Sequence, residues 1–363
     1  MTRTLFRIFG IAAAFLLEAV SAHAGSDRAP PSWASWSVGC GNTGLCYTST
    51  FVRGQSVWVD VRVIRDWPAS ADPLLRITTN TPLGDDGEIR FMVDGKPEDT
   101  LTVAELRDIQ ASVVSPDGFR PIGGEGFWYP TGQATRSLLE KIGKAAQLVI
   151  ELPVTPEKTA VTVELGGLSH ALSWIDGRQE RIGTASAITS PGPGESRDAP
   201  HAVAIGNPDQ LPPAVRSVWD ESRSCSDIDP AIFASLDAVS MPLSENSALY
   251  VLPCGVPSAY NTPYIAILAK AEGIASQLHL ARMAEKGPVT TDLIYNAKWN
   301  PARLYLEGLF KGSGLGECGT WNRWAWTGSG FVMIEEASRQ TCDGKEFPLS
   351  EWPTTWLAPT SNQ

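Results

Sequence analysis

Six cysteines fall into three neighbouring couples, Cys40/Cys46, Cys225/Cys254 and Cys318/Cys342, in a 363-residue chain that opens with the pattern of an export signal. Arg3 and Arg7 give a positive start, residues 8–17 form a short apolar stretch, and Ala22-His23-Ala24 is a small-x-small cleavage pattern. The sequence thus predicts a signal peptide over 1–24, cleaved near Ala24. A spanning helix needs roughly twenty apolar residues, about twice this stretch, which disfavours an uncleaved anchor. No Cys lies at 18–25 to carry a lipid, and no later segment is long and apolar enough to span a bilayer. The expected product is soluble and exported, with no membrane span after signal cleavage.

Export makes disulfides the default state of these cysteines, because oxidising compartments keep thiols paired. Six cysteines allow fifteen pairings, and sequence alone does not choose among them. Neighbour pairing is the economical arrangement, since each part of the chain then closes its own loops. Each such loop would contribute about 2–4 kcal/mol in the chain-entropy account. Metal ligation fits poorly: there is no C-x-x-C, and only His170, His201 and His279 follow the signal. No cofactor is indicated.

The formal charge is −11, and removal of Arg3, Arg7 and Glu18 with the signal makes it −12. Nucleic acid and anionic lipid surfaces recruit basic patches, so neither is an expected partner. An envelope protein or glycan is. With 43% apolar residues the chain can fill two cores of ordinary size. Residues 189–213 are dense in Pro, Gly and small polar residues, which cannot hold a continuous ladder of backbone hydrogen bonds. That segment reads as a linker between an N-terminal domain, 25–188, and a C-terminal domain, 214–363.

Both parts pattern as β. Val57, Val59, Val61 and Val63 place a β-branched row on one strand face. Residues 74–79, 88–93, 147–152 and 159–165 are further strands, and Asp94-Gly95 reads as a hairpin turn. Thr102-Val-Ala-Glu105 is a capping box opening a short helix; 137–146 and the run Leu168, Ala171, Leu172, Ile175 are two more. Later, Pro212-Pro213 opens a helix, followed by strands at 248–253, 264–271, 277–284, 291–297 and 303–310. Residues 324–335 form a hairpin turning at Gly328-Ser-Gly330. The expected fold is mainly β: two antiparallel β-rich domains, each a sandwich or meander, with a few short helices.

At this point the chain resembles a bacterial family of exported proteins catalogued as a domain of unknown function. The residues that carry the resemblance start with Trp36-Ser-Val-Gly-Cys40-Gly-Asn-Thr-Gly-Leu-Cys46 and Ala171-Leu-Ser-Trp-Ile-Asp-Gly-Arg-Gln-Glu-Arg-Ile-Gly183. They continue through Leu252-Pro-Cys254, Tyr295-Asn-Ala-Lys-Trp299 and Gly312-Ser-Gly-Leu-Gly-Glu-Cys-Gly319 to Trp352-Pro-Thr. The first domain is also similar to the invasion-associated locus B proteins. The resemblance implies a periplasmic β-rich protein and supplies no catalytic residues. The chain departs from the family pattern at Gly41, Ser313 and Glu317, where Asp, Arg and Asp are expected, so the charge of any site near those turns is altered.

Chemistry is otherwise sparse. Asp85-Asp86-Gly-Glu88 lacks the spaced oxygens of a calcium loop, and Glu335-Glu336 puts neighbouring carboxylates on opposite strand faces. No G-x-S-x-G occurs, and Gly312–Gly319 lacks the ending of a phosphate loop. Of thirteen tryptophans, six lie between Trp299 and Trp356. Trp321, Trp324 and Trp326 are the binding candidates: Trp324 and Trp326 share a strand face that stacks a sugar or anchors a peptide. The competing role for these rings is to fill a small disulfide-stapled core. The function expected is a non-enzymatic binding or envelope-interaction module. A hydrolase of envelope glycan or peptide, or an inhibitor of such an enzyme, is the alternative.

Overall fold

The computed structural model describes residues 28–359, except 55–56, 118–123, 155–158, 223–224 and 226. The signal segment and its cleavage pattern lie outside the described residues. The fold is mainly β, with several antiparallel sheets and five short α-helices among the described residues.

The first sheet has six strands in the order Ser32–Trp33, Trp36–Cys40, Cys46–Arg53, Trp58–Arg65, Leu74–Thr79, Glu125–Trp128. The second has four, Thr159–Glu164, Gln147–Leu152, Glu88–Val93 and Lys96–Thr102. Val57, Val59, Val61 and Val63 are all buried, and face Ile89, Phe91, Leu148 and Ile150 of the second sheet in one core. Between Glu88–Val93 and Lys96–Thr102, Asp94 and Gly95 both have positive φ (48° and 75°), the geometry of a two-residue type I′ turn. The helix Val103–Ser112 starts at the capping box: Glu105 N–H donates to Thr102 Oγ1 at 3.2 Å, and Thr102 N–H to Glu105 Oε2 at 2.7 Å. The helices Gln133–Ile142 and Leu168–Arg178 bury Leu138, Leu139, Leu168 and Leu172 in the same core. The first of them begins four residues earlier than its sequence pattern predicts.

Downstream, Val239–Ser244, Ser247–Pro253, Pro263–Lys270 and Ile274–Gln277 form consecutive strands of a third sheet, with Val203–Ala204 at one edge. One face packs on the helices Pro213–Glu221 and Pro230–Phe233, the other toward a five-stranded C-terminal sheet. That last sheet runs Lys298–Asn300, Tyr305–Lys311, Gly319–Trp326, Phe331–Arg339, Thr354–Leu357. The strand expected at 277–284 is two strands, Ile274–Gln277 and Leu280–Ala284, because the chain leaves the third sheet to form a hairpin with Gly287–Thr291. The strand expected at 291–297 likewise breaks, and Asn296 has φ 48°.

The cysteines are bonded as Cys40–Cys46, Cys225–Cys254 and Cys318–Cys342, with no free cysteine among the described residues. Cys40 and Cys46 face each other across the ladder of their two strands, so that bridge closes a hairpin. Cys225 and Cys254 are both buried and belong to the core beneath the helix Pro213–Glu221. Cys318 is fully buried, but Cys342 is exposed. The chain leaves the sheet after Arg339, and 341–346 is irregular and exposed throughout. Cys342 therefore pins a surface loop to the buried Cys318 and fills no core itself.

The Pro/Gly segment after the first sheets is anchored at several points. Asp176 is fully buried and accepts from the backbone N–H of Ile188 and Thr189, both at 2.9 Å, and from Arg65 Nη1 at 3.0 Å. Further on, Ala199 N–H donates to Trp67 O at 3.0 Å.

Candidate functional site

Arg28 ties residues 28–32 to the C-terminal sheet. Its guanidinium donates to Glu335 Oε1 and Trp352 O, both at 2.6 Å, and to Thr354 Oγ1. This places 28–32 along the C-terminal sheet. A second tie comes from Asn42 in the hairpin turn beside Cys40. Its Oδ1 accepts the Trp299 backbone N–H at 2.9 Å, and its Nδ2 reaches Asp237 O at 3.4 Å.

Between these ties lies a cleft of about 970 Å³. Its walls come from 28–32 and the helix Leu168–Arg178 on one side, and from the C-terminal sheet on the other. Six cations, Arg28, Arg178, Lys298, Arg303, Lys311 and Arg323, line it, against a single lining carboxylate, Glu307. In a chain of charge −11 that local excess of positive charge is opposite in sign to the whole. Alternation on Lys298–Asn300 turns Lys298 and Asn300 outward and buries Trp299.

Trp321 sits in the cleft lining with two guanidiniums over its ring: Arg28 lies 5.7 Å from the ring centroid and Arg323 4.7 Å. Arg323 also lies 5.5 Å from the Tyr305 ring and donates to Glu307 Oε1 at 2.6 Å. Such stacking holds each planar cation in place while its donors bond to Glu335 and Glu307. Trp174, half-buried, carries Arg178 at 5.6 Å from its ring.

Of the three tryptophans singled out by sequence, Trp321 is set apart from Trp324 and Trp326, between which the strand alternates without a register shift. Trp321 lines the cleft and packs with Ala337 and Trp352. Trp324 is 1% exposed in the core between the third and C-terminal sheets, and its indole N–H donates to Ala281 O at 2.6 Å. Trp326 is half-buried, 5.2 Å from Phe331. A register shift between Arg323 and Trp324 interrupts the alternation along this strand. Glu335 and Glu336 do point to different partners: Glu335 to Arg28 and Arg323, Glu336 to Asn322, Met283 N–H and Thr355.

Beyond the cleft rim, Gly312–Gly319 is a tight turn. Gly316 has φ 71°, and Gly312 N–H donates to Cys318 O at 2.8 Å. A Cβ on Gly312 would meet Cys318 Sγ at 2.9 Å and Cys342 Sγ at 3.1 Å, so the disulfide occupies the space a side chain needs. Ser313 donates to Glu317, which holds that carboxyl below its usual range, and Gly344 N–H adds a 3.2 Å bond. The acidic tip at Asp85-Asp86 gathers no metal-type cluster; among the described residues there is no group of three or more His, Cys, Asp or Glu placed to hold a metal. No helix of the described residues is long and apolar enough to cross a membrane.

Arg178 and Lys298 lie within motifs that carry the family resemblance, but their convergence with Arg303 and Lys311 depends on contacts between distant segments, which sequence reasoning does not see.

Fold and site together define a disulfide-stapled, multi-sheet β protein with a cationic cleft between its N-terminal and C-terminal sheets. Residues 31–359 match the family described as "Protein of unknown function (DUF1176)", and the chain belongs to that family. It is 27% identical over 344 residues to the uncharacterized protein YpfG of Escherichia coli K12, covering 90% of this chain and 92% of the relative. A solved structure, invasion associated protein b from Bartonella henselae, aligns with 42% of this chain and 99% of its own, at 17% identity and a TM-score of 0.28.

Proposed function

We propose that the protein is an exported periplasmic binding module whose ligand occupies the cationic cleft. In this reading the signal is removed near Ala24, and two β-rich units, 25–188 and 214–363, carry the cleft between them. The carrying observation is the set of six cations in the cleft lining of an acidic chain, of which Arg28 and Arg323 pair with Glu335 and Glu307 while Lys298 and Lys311 form no ion pair among the described residues. Such a concentration costs self-repulsion, which an incoming anion relieves, and it raises the local concentration of that anion. Three disulfides and the absence of a spanning helix among the described residues fit an oxidising, aqueous compartment. Glycoside hydrolysis of the usual kind needs two carboxylates free to act at a defined separation. The carboxylates at this cleft, Glu307 and Glu335, both pair with Arg323, which favours binding over acid–base chemistry.

The test is capture from a periplasmic extract by the mature protein and by a Lys298→Glu/Lys311→Glu variant. The expected outcome is a component retained by the wild type and lost with the variant. Equal capture by both would place recognition elsewhere. Mass spectrometry of the same preparation should give a start close to Gly25; residues 1–24 intact in a soluble fraction would defeat the export reading.

A further inference from the structure

We propose that the cleft takes an acidic saccharide chain, a short run of sugars bearing carboxylates or phosphates; this rests on the reading that the cleft is the ligand site. The cations are spread over both walls, with Arg178 on the helix side and Lys298, Arg303 and Lys311 on the sheet side. Charges so distributed match anionic groups repeated along a chain better than one compact anion. The volume, about 970 Å³, is at the upper end for small-molecule sites and accommodates several linked rings.

Charge alone does not describe the lining. Trp174 offers a half-buried ring at one wall, with Arg178 over it, and aromatic faces stack on the apolar face of a sugar. Asn300, Ser32 and Ser350 add neutral donors and acceptors suited to hydroxyl groups. Lys298 and Lys311 form no ion pair among the described residues, and Lys298 is exposed.

Two other polymer classes fit less well. An extended peptide would pair with the edge strand Lys298–Asn300. The Trp299 N–H of that edge is already taken by Asn42 Oδ1. A nucleic acid would meet the −11 charge of the whole chain as it extends past the cleft, whereas a short saccharide of lower charge density would not.

The experiment is isothermal titration of the mature full-length protein with hexagalacturonate, with inorganic polyphosphate of similar charge and with maltohexaose, at low and at physiological salt. Lys298→Ser/Lys311→Ser and Trp174→Leu are titrated alongside, and circular dichroism checks that each is folded. Hexagalacturonate is expected to bind at least about tenfold tighter than maltohexaose, and to lose about tenfold in each variant. Binding should weaken as salt rises. The expected loss in Trp174→Leu is confined to the saccharide; polyphosphate should weaken only in the lysine variant. A phosphate-bearing ligand is indicated if polyphosphate displaces hexagalacturonate in competition, a uronate-type ligand if it does not.

Polyphosphate binding tighter than hexagalacturonate, with Trp174→Leu without effect on either, would overturn the saccharide assignment and leave an anion site. Equal affinity for maltohexaose and hexagalacturonate, both weakened by the variants, would overturn the acidic requirement while keeping the cleft. Binding untouched by any variant would overturn the cleft itself. Failure of all three probes to bind overturns the acidic-saccharide proposal, and the capture experiment then judges the cleft separately.

Discussion

Arg28 Nε lies 2.6 Å from Glu335 Oε1, an ion pair to a strand of the C-terminal sheet across 307 positions. Both side chains are largely shielded, at 5% and 16% exposure. Removing one partner of a buried pair costs more than the pair itself contributes, because the other charge stays desolvated. Arg323 remains 3.7 Å from Glu335 and softens that loss. Arg28→Ala is therefore expected to cost about 3 kcal/mol, at the low end for a broken buried pair. Adding Glu335→Gln should recover part of it. Urea denaturation of the four proteins in the cycle checks this, and an unchanged midpoint for Arg28→Ala would refute it.

A second tie fixes the Pro/Gly segment at its start. Asp176 holds the Ile188 and Thr189 amides and neutralises the buried Arg65, while 190–198 is mostly exposed. Limited proteolysis of the wild type is expected to cut first within 190–198, where exposed irregular backbone fits a protease cleft. Asp176→Ala should speed that cut and cost about 3–5 kcal/mol, since Arg65 loses its carboxylate. A first cut inside Gln147–Leu152 or Tyr305–Lys311 would contradict the strand assignments.

Local structure is largely legible in the sequence because it rests on near neighbours. The valine row, the Thr102–Glu105 box and the Asp94-Gly95 turn each depend on residues within a few positions. The strands of Lys96–Thr102 and Val239–Ser244 are not, since Pro97 and Pro242 sit in the first and second respectively and mask the β pattern. Period-two reasoning also sees no partner change, so the chain crossing from Ile274–Gln277 to Leu280–Ala284 looks continuous. Pairing of Cys318 with Cys342 follows from their nearness in the chain, but the exposure of Cys342 depends on where the chain leaves its sheet. The cleft is invisible for the same reason on a larger scale. Arg28, Arg178, Lys298 and Arg323 are brought together by topology, and nothing in the spacing of those residues encodes it.

Alkaline pH offers an independent probe of the two cores. Burial pushes the phenols of Tyr129, Tyr264 and Tyr250 above the ordinary range, and Tyr129 also donates to Asp99 Oδ2 at 2.6 Å. A folded pKa above the unfolded one means stability is fully present below about pH 10 and falls as pH rises past it. Phenolate absorbance should show three of the seven tyrosines ionising only as the protein unfolds. Tyr129→Phe is expected to cost about 1 kcal/mol at neutral pH, the usual worth of a hydrogen bond, and to make the alkaline loss less steep. Ionisation of all seven together, with no unfolding, would contradict this packing.

Trp324 gives the sharpest contrast between a core ring and a recognition ring. Its neighbours include Leu306, Trp299 and Leu280, and a Cβ on Gly308 would stand 3.5 Å from its Cζ3. The indole N–H is satisfied within the protein by Ala281 O. Deleting a buried large aromatic leaves a cavity that a two-sheet core fills only in part, so Trp324→Ala should cost about 3–5 kcal/mol. Trp326→Ala, at a half-buried position, should cost less, and its folded fraction at room temperature should stay near that of the wild type. Denaturant melts of both variants decide the matter, read together with capture from periplasmic extract. If Trp324→Ala keeps the wild-type midpoint and abolishes capture, that ring serves recognition, and the face it shares with Trp326 rather than the cleft beside Trp321 is where the ligand lies.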